Sequence, residues 1–393
     1  MSAPAFDVPI ARTSLTEDEI ASVLAPLRSG WLVQGPHVRA FEDAWSAFVG
    51  AKHSVAVTSC TTALHLSLAA LGFGPSDEAI VPAFTWISTA NVVEHLGGKV
   101  VFCDIDLATF NIDVAHAGSL VGPRTKAILP VHLFGLAADM APLTDLARRH
   151  GLWVIEDAAC GFGSMLEGRH VGTFGDAGCF SFHPRKAITT GEGGMITTQS
   201  DGLAERLRRL RDHGAAMSDL QRHHGPRPYL LADHPDAGYN QRMTDIQAAL
   251  GVAQMKRADA ILEERRALAA RYDTAFADLP WLRTPAKPAG TLHGYQSYPC
   301  LFQPMPVTAA NVPAINAARN EWMDALRRAG VSTRPATHAV HMLAFYRDKY
   351  GLEREDFPNA WAANDCSISL PLFNGMSRAE QDHVIARVRD RGN

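Results

Sequence analysis

The stretch GDAGCFSFHPRKAITTGEGGMITT, residues 175–198, contains two short apolar segments, GCFSFH and GGMITT, that are typical of buried strands. The loop between them carries Lys186, and three glycines, at 191, 193 and 194, follow it. Most loop lysines are solvated surface charges, so a functional role for this one needs support from elsewhere in the chain. A phosphate-binding loop is disfavoured, because no Gly-Lys-Ser/Thr pattern is present and the glycines follow the lysine. The remaining functional interpretation is a lysine whose amine attacks an aldehyde.

Upstream of this stretch, short apolar runs alternate with helical patterns. The runs HSVAVT (53–58), AIVP (79–82), KVVFCDID (99–106), KAILPVHLFG (126–135) and LWVIEDAA (152–159) predict strands. Helical patterns lie between them, such as a stripe of three leucines that ends at Gly72. Strands that alternate with helices imply a mostly parallel sheet with helices on both faces.

Beyond residue 240 the pattern changes. Residues 243–276 form one long helical pattern that opens with a capping box, Thr244 and Gln247. A stretch rich in proline and glycine follows at 280–294. The chain is therefore expected to form a large α/β domain with an N-terminal arm (1–250) and a smaller C-terminal α+β domain (251–393) entered by the long helix.

Composition excludes several classes of protein. The chain has 393 residues, 47% of them apolar, and a net charge of −4 without long runs of one sign, which disfavours nucleic-acid binding. No apolar run approaches the roughly 18 residues of a membrane span, and the N-terminus lacks the features of a signal peptide. The six cysteines and seventeen histidines show no metal-ligand spacing. We expect a cytoplasmic enzyme that uses no metal.

Candidate functional residues follow several of the predicted strands, where parallel sheets bind ligands. A Schiff-base lysine suggests pyridoxal 5'-phosphate (PLP), which needs an acid at its ring nitrogen, a phosphate site at a helix N-terminus and an apolar face against the ring. Asp157, the hydroxyls of TSCTTALHL (58–66) and Trp86 match these needs. Taken singly, each of them is explained better by helix capping or core packing. Their convergence on one edge of the sheet favours the cofactor, and a buried Asp157 is expected to meet a cation.

Several segments closely resemble the DegT/DnrJ/EryC1/StrS family of PLP-dependent sugar aminotransferases. They are GWLVQGPHVRAFE (30–42), EDAACGFGS (156–164), residues 175–198, GYNQRMTDIQAALG (238–251) and ISLPLFNGMSRAEQDHVI (368–385). The resemblance covers nearly the whole chain. It implies PLP-dependent transferase fold type I, the aspartate-aminotransferase-like fold. It also implies a homodimer whose active sites lie at the subunit interface.

Site roles follow from the resemblance by position. Lys186 matches the lysine that forms the internal aldimine, and Asp157 matches the acid at the pyridine nitrogen. The other implied cofactor contacts are the ring-stacking Trp86, the phosphate-binding Thr61, Thr62 and Ser181, and Asn240, which resembles an asparagine that reaches the phosphate of the neighbouring subunit. Relatives that act as dehydratases carry histidine in place of the lysine, so Lys186 favours transamination.

Two cysteines depart from the family pattern. Cys60 stands where many members have glycine, so the backbone of that turn is expected to differ. Cys160 stands where many members have glutamine or histidine near the phenolic oxygen of the cofactor. That hydrogen bond is therefore in doubt, although a polarizable thiol can fill the space.

The implied reaction moves an amino group from an amino acid, expected to be L-glutamate, to the ketone of a nucleotide-linked keto-sugar through a pyridoxamine phosphate intermediate. Arg242, His338 and His341 are candidates to contact the sugar hydroxyls or the diphosphate, and a role in surface or packing is equally open for them. Three alternatives remain: a keto-cyclitol as acceptor, a PLP-dependent lyase or dehydratase, and a non-catalytic regulatory protein. Lys186 and Asp157 argue against the last.

Overall fold

The computed structural model describes residues 7–217 and 229–392. Its strands, in chain order, are β1 (His53–Val57), β2 (Glu78–Pro82), β3 (Phe84–Thr85), β4 (Lys99–Cys103), β5 (Thr125–Ile128), β6 (Trp153–Asp157), β7 (Met165–Leu166), β8 (Arg169–His170), β9 (Ala177–Ser181), β10 (Gly194–Thr198), β11 (Leu282–Arg283), β12 (Thr291–Leu292), β13 (Tyr298–Phe302), β14 (His338–Ala339) and β15 (Ser367–Leu370).

Its α-helices are α1 (Glu17–Ser22), α2 (Leu24–Ser29), α3 (Pro36–Val49), α4 (Cys60–Leu71), α5 (Ser88–His95), α6 (Val114–Ser119), α7 (Met140–His150), α8 (Asp201–Leu210), α9 (Asp245–Met255), α10 (Ala258–Phe276), α11 (Val312–Arg328), α12 (Ala344–Tyr350), α13 (Pro358–Cys366) and α14 (Arg378–Arg389). Short 3₁₀ turns lie at Leu133–Gly135, Val340–Met342, Arg354–Asp356 and Asp390–Gly392.

A seven-stranded sheet forms the centre of the fold, in the order β1-β10-β9-β6-β5-β2-β4. Its strands β9, β6, β5, β2 and β4 pair in parallel, whereas β10 is antiparallel to both β9 and β1. The predicted, mostly parallel α/β sheet is confirmed. Strand β10 reverses because it follows β9 directly through the loop that carries Lys186, and no crossover helix intervenes.

Alternation along the strands divides the core between the two faces of this sheet. On β9 and β10, Cys179 and Ile196 join the cluster that contains α4, and Phe180 and Met195 join the cluster that contains α3. On the α3 side, Trp45 packs edge-on against Phe180, with 5.1 Å between ring centroids. Both faces are buried, as a sheet of this kind requires.

The C-terminal part has its own antiparallel sheet, β11-β13-β15. The helix predicted over residues 243–276 is wrong as one element, because it is divided into α9 and α10. Between them Arg257 leaves helical geometry, with φ −109° and ψ 10°, and its Nε donates to Glu19 at 2.9 Å. The proposed domain boundary between residues 250 and 251 falls inside α9 and stays a prediction.

Asp245, at the start of α9, holds the N-terminus of α3. Its carboxylate is fully buried and accepts N–H bonds from Gly35 (2.8 Å), His37 (3.2 Å) and Val38 (3.0 Å). The N-cap residue of α3 is Gly35, whose lack of a side chain leaves these donors to an outside partner. The carboxylate therefore fastens α3, and the aromatic core it carries, to α9.

We expect Asp245→Ala to lower the free energy of unfolding by about 3 kcal/mol, because it leaves three N–H groups, two of them buried, without acceptors. Denaturant titration measures this loss. Asp43→Ala is the matched control, since that carboxylate is exposed on α3 and pairs with Arg39 at the surface. An Asp245→Ala variant as stable as the control would contradict the assignment.

Candidate active site

Lys186 lies in the loop between β9 and β10. The loop is folded back on the end of β9, because the Thr190 N–H and the Thr189 hydroxyl both donate to the Phe182 carbonyl, at 3.0 and 2.8 Å. The Lys186 N–H donates to the His183 carbonyl at 2.8 Å. These bonds fix the backbone from which the lysine side chain extends, and its Nζ lies 3.2 Å from Sγ of Cys160.

Asp157 ends β6, the middle strand of the sheet, and is 3% exposed. Its hydrogen-bond donors in the described part of the chain are uncharged: the Thr89 hydroxyl at 2.7 Å and the Ala159 N–H at 3.1 Å. Burial raises the pKa of Asp157, and the Thr89 bond, the Ala159 N–H and the charge of Lys186 act against that increase. A buried carboxylate with neutral partners is costly unless a cation approaches it.

Thr89 is a functional candidate that the sequence did not indicate. Its hydroxyl carries one hydrogen, and the shortest contact, 2.7 Å, directs it to Asp157. The Thr85 hydroxyl at 3.1 Å then donates to Thr89, and both threonines are fully buried. Thr85 directly precedes Trp86, so this hydroxyl chain connects the acid to the segment that carries the aromatic ring.

The N-terminus of α4 forms the predicted phosphate site. Ser59 caps the helix by accepting the Thr62 N–H at 3.1 Å, and the Thr62 hydroxyl lies 2.9 Å from that of Thr58. A Cβ at Gly194 would come within 2.4 Å of the Ser59 backbone, so only glycine allows β10 to pass beneath this turn. Thr61 lies in the first turn of α4. The N–H groups and hydroxyls here suit a phosphate.

Ser181, the last residue of β9, is half-buried, and its hydroxyl accepts the His183 N–H at 3.4 Å.

Cys60 begins α4 in regular geometry and is 8% exposed, so its turn retains an ordinary capped helix start. The Cys60 thiol lies 3.4 Å from the Cys179 carbonyl and 3.9 Å from Asp157 Oδ1. Cys60 thus packs against the acid.

Trp86 follows β3 and is 54% exposed, so the alternative that it belongs to the core is excluded. Strand β3 pairs with β14, and this places the His338 ring 5.6 Å from the indole. His341, by contrast, is fully buried, with its ring 4.8 Å from Phe357 and its Nε2 3.4 Å from the Arg354 carbonyl. The structure therefore brings His338, and not His341, to the open side of the site.

Asn240 and Arg242 lie on the segment before α9. A backbone bridge joins Arg242 to Val57 at the end of β1, and its guanidinium donates to Asp212 at 2.6 Å. Asn240 is exposed. Neither side chain contacts Lys186 or Asp157 within this chain, which is compatible with a role toward a neighbouring subunit.

Glu156 is the second group that sequence reasoning left unassigned, with helix capping as the open alternative. It is fully buried and accepts the N–H groups of Gly172 (2.6 Å), Phe174 (2.7 Å) and Gly175 (2.7 Å). The Ala138 N–H donates to His132 Nδ1 at 3.1 Å, so the proton of that ring lies on Nε2 and is donated to Glu156 at 2.9 Å. Glu156 thus fixes the chain that leads into β9.

This donor set fits PLP. Among the described residues the buried carboxylate of Asp157 has no hydrogen-bonded cation, which a protonated ring nitrogen would supply. The amine of Lys186 lies on the same edge of the sheet as a capped helix N-terminus. The fold and the site together define a PLP-dependent enzyme of the α/β class.

Comparison with known proteins specifies the class. The chain matches the model of the DegT/DnrJ/EryC1/StrS aminotransferase family over residues 13–389. It is 40% identical over 385 residues to the spore coat polysaccharide biosynthesis protein SpsC of Bacillus subtilis, covering 98% of this chain and 96% of SpsC. It is 38% identical to the GDP-perosamine synthase of Caulobacter vibrioides, covering 96% of each chain.

Among solved structures, the putative sugar aminotransferase Spr1654 of Streptococcus pneumoniae in its PMP form superposes with a TM-score of 0.89 at 28% identity, over 98% of both chains. The chain belongs to the DegT/DnrJ/EryC1/StrS aminotransferase family, and it is a PLP-dependent aminotransferase. The predicted family, fold type and cofactor are confirmed.

No helix in the described part of the chain is long and apolar enough to cross a membrane. No group of three or more His, Cys, Asp or Glu in residues 7–217 and 229–392 is arranged to hold a metal ion.

We expect Thr89→Val to slow the reaction with the amino donor by about tenfold at neutral pH, because the charged form of Asp157 loses a buried hydrogen bond. The same loss raises the pKa of Asp157 further. The carboxylate then stays ionised only at higher pH, and the acidic limb of the rate profile moves upward. Stopped-flow absorbance across pH measures both effects. Thr89→Ser keeps the hydroxyl and should restore the profile, and an unmoved limb in Thr89→Val would refute the role.

Proposed function

We propose that this aminotransferase takes an amino group from an amino acid, L-glutamate, and delivers it to the ketone of a nucleotide-linked keto-sugar. The observation that carries the proposal is the buried Asp157, with uncharged hydrogen-bond partners, on the same edge of the sheet as the amine of Lys186. The 38% identity to a GDP-perosamine synthase supports a sugar acceptor. The choice of nucleotide and the position of the ketone stay open.

When bound, PLP supplies an aldehyde that condenses with amines and a ring that accepts electrons. Lys186 would hold the cofactor through its amine and would move a proton as general acid–base beside the reacting carbon. Asp157 would keep a proton on the ring nitrogen, which is the state in which the ring withdraws electrons most strongly. Thr89 and Ala159 hold that carboxylate in place.

The phosphate is proposed to bind at the N-terminus of α4, with Thr61, Thr62 and Ser181 as hydroxyl donors. Asn240 would complete this site from a second copy of the chain in a homodimer with shared active sites. Its exposed position on the segment before α9 supports this arrangement.

The acceptor is proposed to lie on the exposed side of Trp86. His338 is placed to contact hydroxyls there, since its ring lies against the indole. Arg242 is proposed to meet the diphosphate, although in this chain it is paired with Asp212. His341 is left out because its buried ring offers no surface. The expected cytoplasmic location stays a prediction.

The direct test is the half-reaction. Protein loaded with PLP is mixed with L-glutamate, the cofactor spectrum is followed for conversion to the pyridoxamine form, and 2-oxoglutarate is quantified. We expect one equivalent of 2-oxoglutarate per site, and about a 10³-fold or greater loss of rate in Lys186→Ala. Arg185→Ala, next in sequence, is the matched control for disturbance of the loop.

A panel of nucleotide keto-sugars and keto-cyclitols then identifies the acceptor by recovery of the PLP spectrum. Bound PLP that yields no 2-oxoglutarate from glutamate would contradict glutamate as the donor. Elimination products from a nucleotide sugar without amine transfer would contradict the sugar-amination proposal in favour of dehydration.

A further inference from the structure

We propose that Cys160 is a site of oxidative modification, at which a hydroperoxide converts the thiol to a sulfenic acid and the amine of Lys186 then forms a sulfur–nitrogen bond with it. This goes beyond transamination and does not depend on which substrates the enzyme uses.

The first observation is the contact itself. Nζ of Lys186 lies 3.2 Å from Sγ of Cys160, and the two side chains come from different elements, the loop after β9 and the turn after β6. Reacting atoms at about 3–3.5 Å need little further movement to form a bond. The amine is therefore already placed as an intramolecular nucleophile toward the sulfur.

The second observation is that Cys160 differs from the other cysteines of the chain. Five of the six are buried, and Cys160 alone is partly exposed. Burial raises the pKa of the five buried thiols, Cys60, Cys103, Cys179, Cys300 and Cys366. They remain protonated and poorly reactive, so an oxidant selects Cys160.

The third observation is access. Cys160 is partly exposed and lines a small pocket together with Lys186, Ser181 and Gln296. A hydroperoxide can therefore approach the sulfur from this exposed side.

The chemistry balances in two steps. The thiol attacks the peroxide O–O bond, one oxygen stays on sulfur as the sulfenic acid, and the other leaves as water. The Lys186 nitrogen lone pair then attacks sulfur and breaks the S–OH bond, and the hydroxide leaves as water with a proton from the amine. The peroxide is reduced, the sulfur is oxidised, and the protein has lost two hydrogen atoms.

The new bond removes the amine that must hold the cofactor. A protein in this state cannot bind PLP covalently. Added thiols reverse the change, because they attack the sulfur, release the amine and then reduce the mixed disulfide. Cys160 and Lys186 thus form a reversible redox switch. It can operate only while the Lys186 amine carries no cofactor.

The test uses the full chain freed of cofactor and treated with hydrogen peroxide, followed by digestion and tandem mass spectrometry. We expect a linked pair of peptides, joined at Cys160 and Lys186 and lighter by two hydrogen atoms than the separate peptides together. PLP added to the oxidised protein should fail to give the absorbance of lysine-bound cofactor until dithiothreitol restores it. Protein loaded with PLP before oxidation should form less of the linked pair.

Two variants are the matched controls, each compared with and without peroxide. Cys160→Ser cannot be oxidised, so peroxide should leave its uptake of PLP unchanged. Lys186→Arg keeps the positive charge without the primary amine, so it should give no linked peptides. The proposal is overturned if wild-type Cys160 is recovered as a thiol, a sulfinic acid or a disulfide with Lys186 unlinked. It is also overturned if peroxide blocks PLP uptake equally in Cys160→Ser.

Discussion

The buried carboxylate of Asp157 is the constraint on which the rest of the site depends. It ends the middle strand of the sheet, where it is 3% exposed, and its hydrogen-bond donors among the described residues are neutral. A charge in such a place is expensive unless a cation completes it, and in the proposed function the protonated ring nitrogen of PLP is that cation. The order of the strands brings Lys186, in the loop after the neighbouring β9, to the same edge of the sheet.

Much of the sheet could be predicted because its signals are local. The apolar runs that gave β1, β6 and β10 are short and bounded by turn residues. Where the observed elements differ from the predicted ones, tertiary contacts set their bounds. The run at 126–135 was expected as one strand, but β5 ends at Ile128, and the chain then turns through Phe134 with φ 58°. The break between α9 and α10 depends on Glu19, which lies more than two hundred residues away.

The residues of the site also fall into two groups, those that the local sequence marks and those that only tertiary contacts reveal. Asp157 and Lys186 could be predicted because strand ends and motif positions mark them. Thr89 could not, since its contact with Asp157 spans 68 residues of sequence. Its other hydroxyl partner, Thr85, ends β3 whereas Thr89 lies in α5, so no helical spacing marked the pair. His341 was predicted as a substrate contact from its motif position, but its side chain is fully buried. A motif position does not reveal which side of a 3₁₀ turn faces the core.

Borohydride trapping tests the proposed covalent role of Lys186 directly. Reduction fixes the cofactor on whichever amine holds it, and peptide mapping then locates that amine. We expect one modified residue, Lys186, with the modification lost in Lys186→Arg and retained in Arg185→Ala. A cofactor trapped on another lysine, or bound PLP that borohydride attaches to no residue, would contradict it.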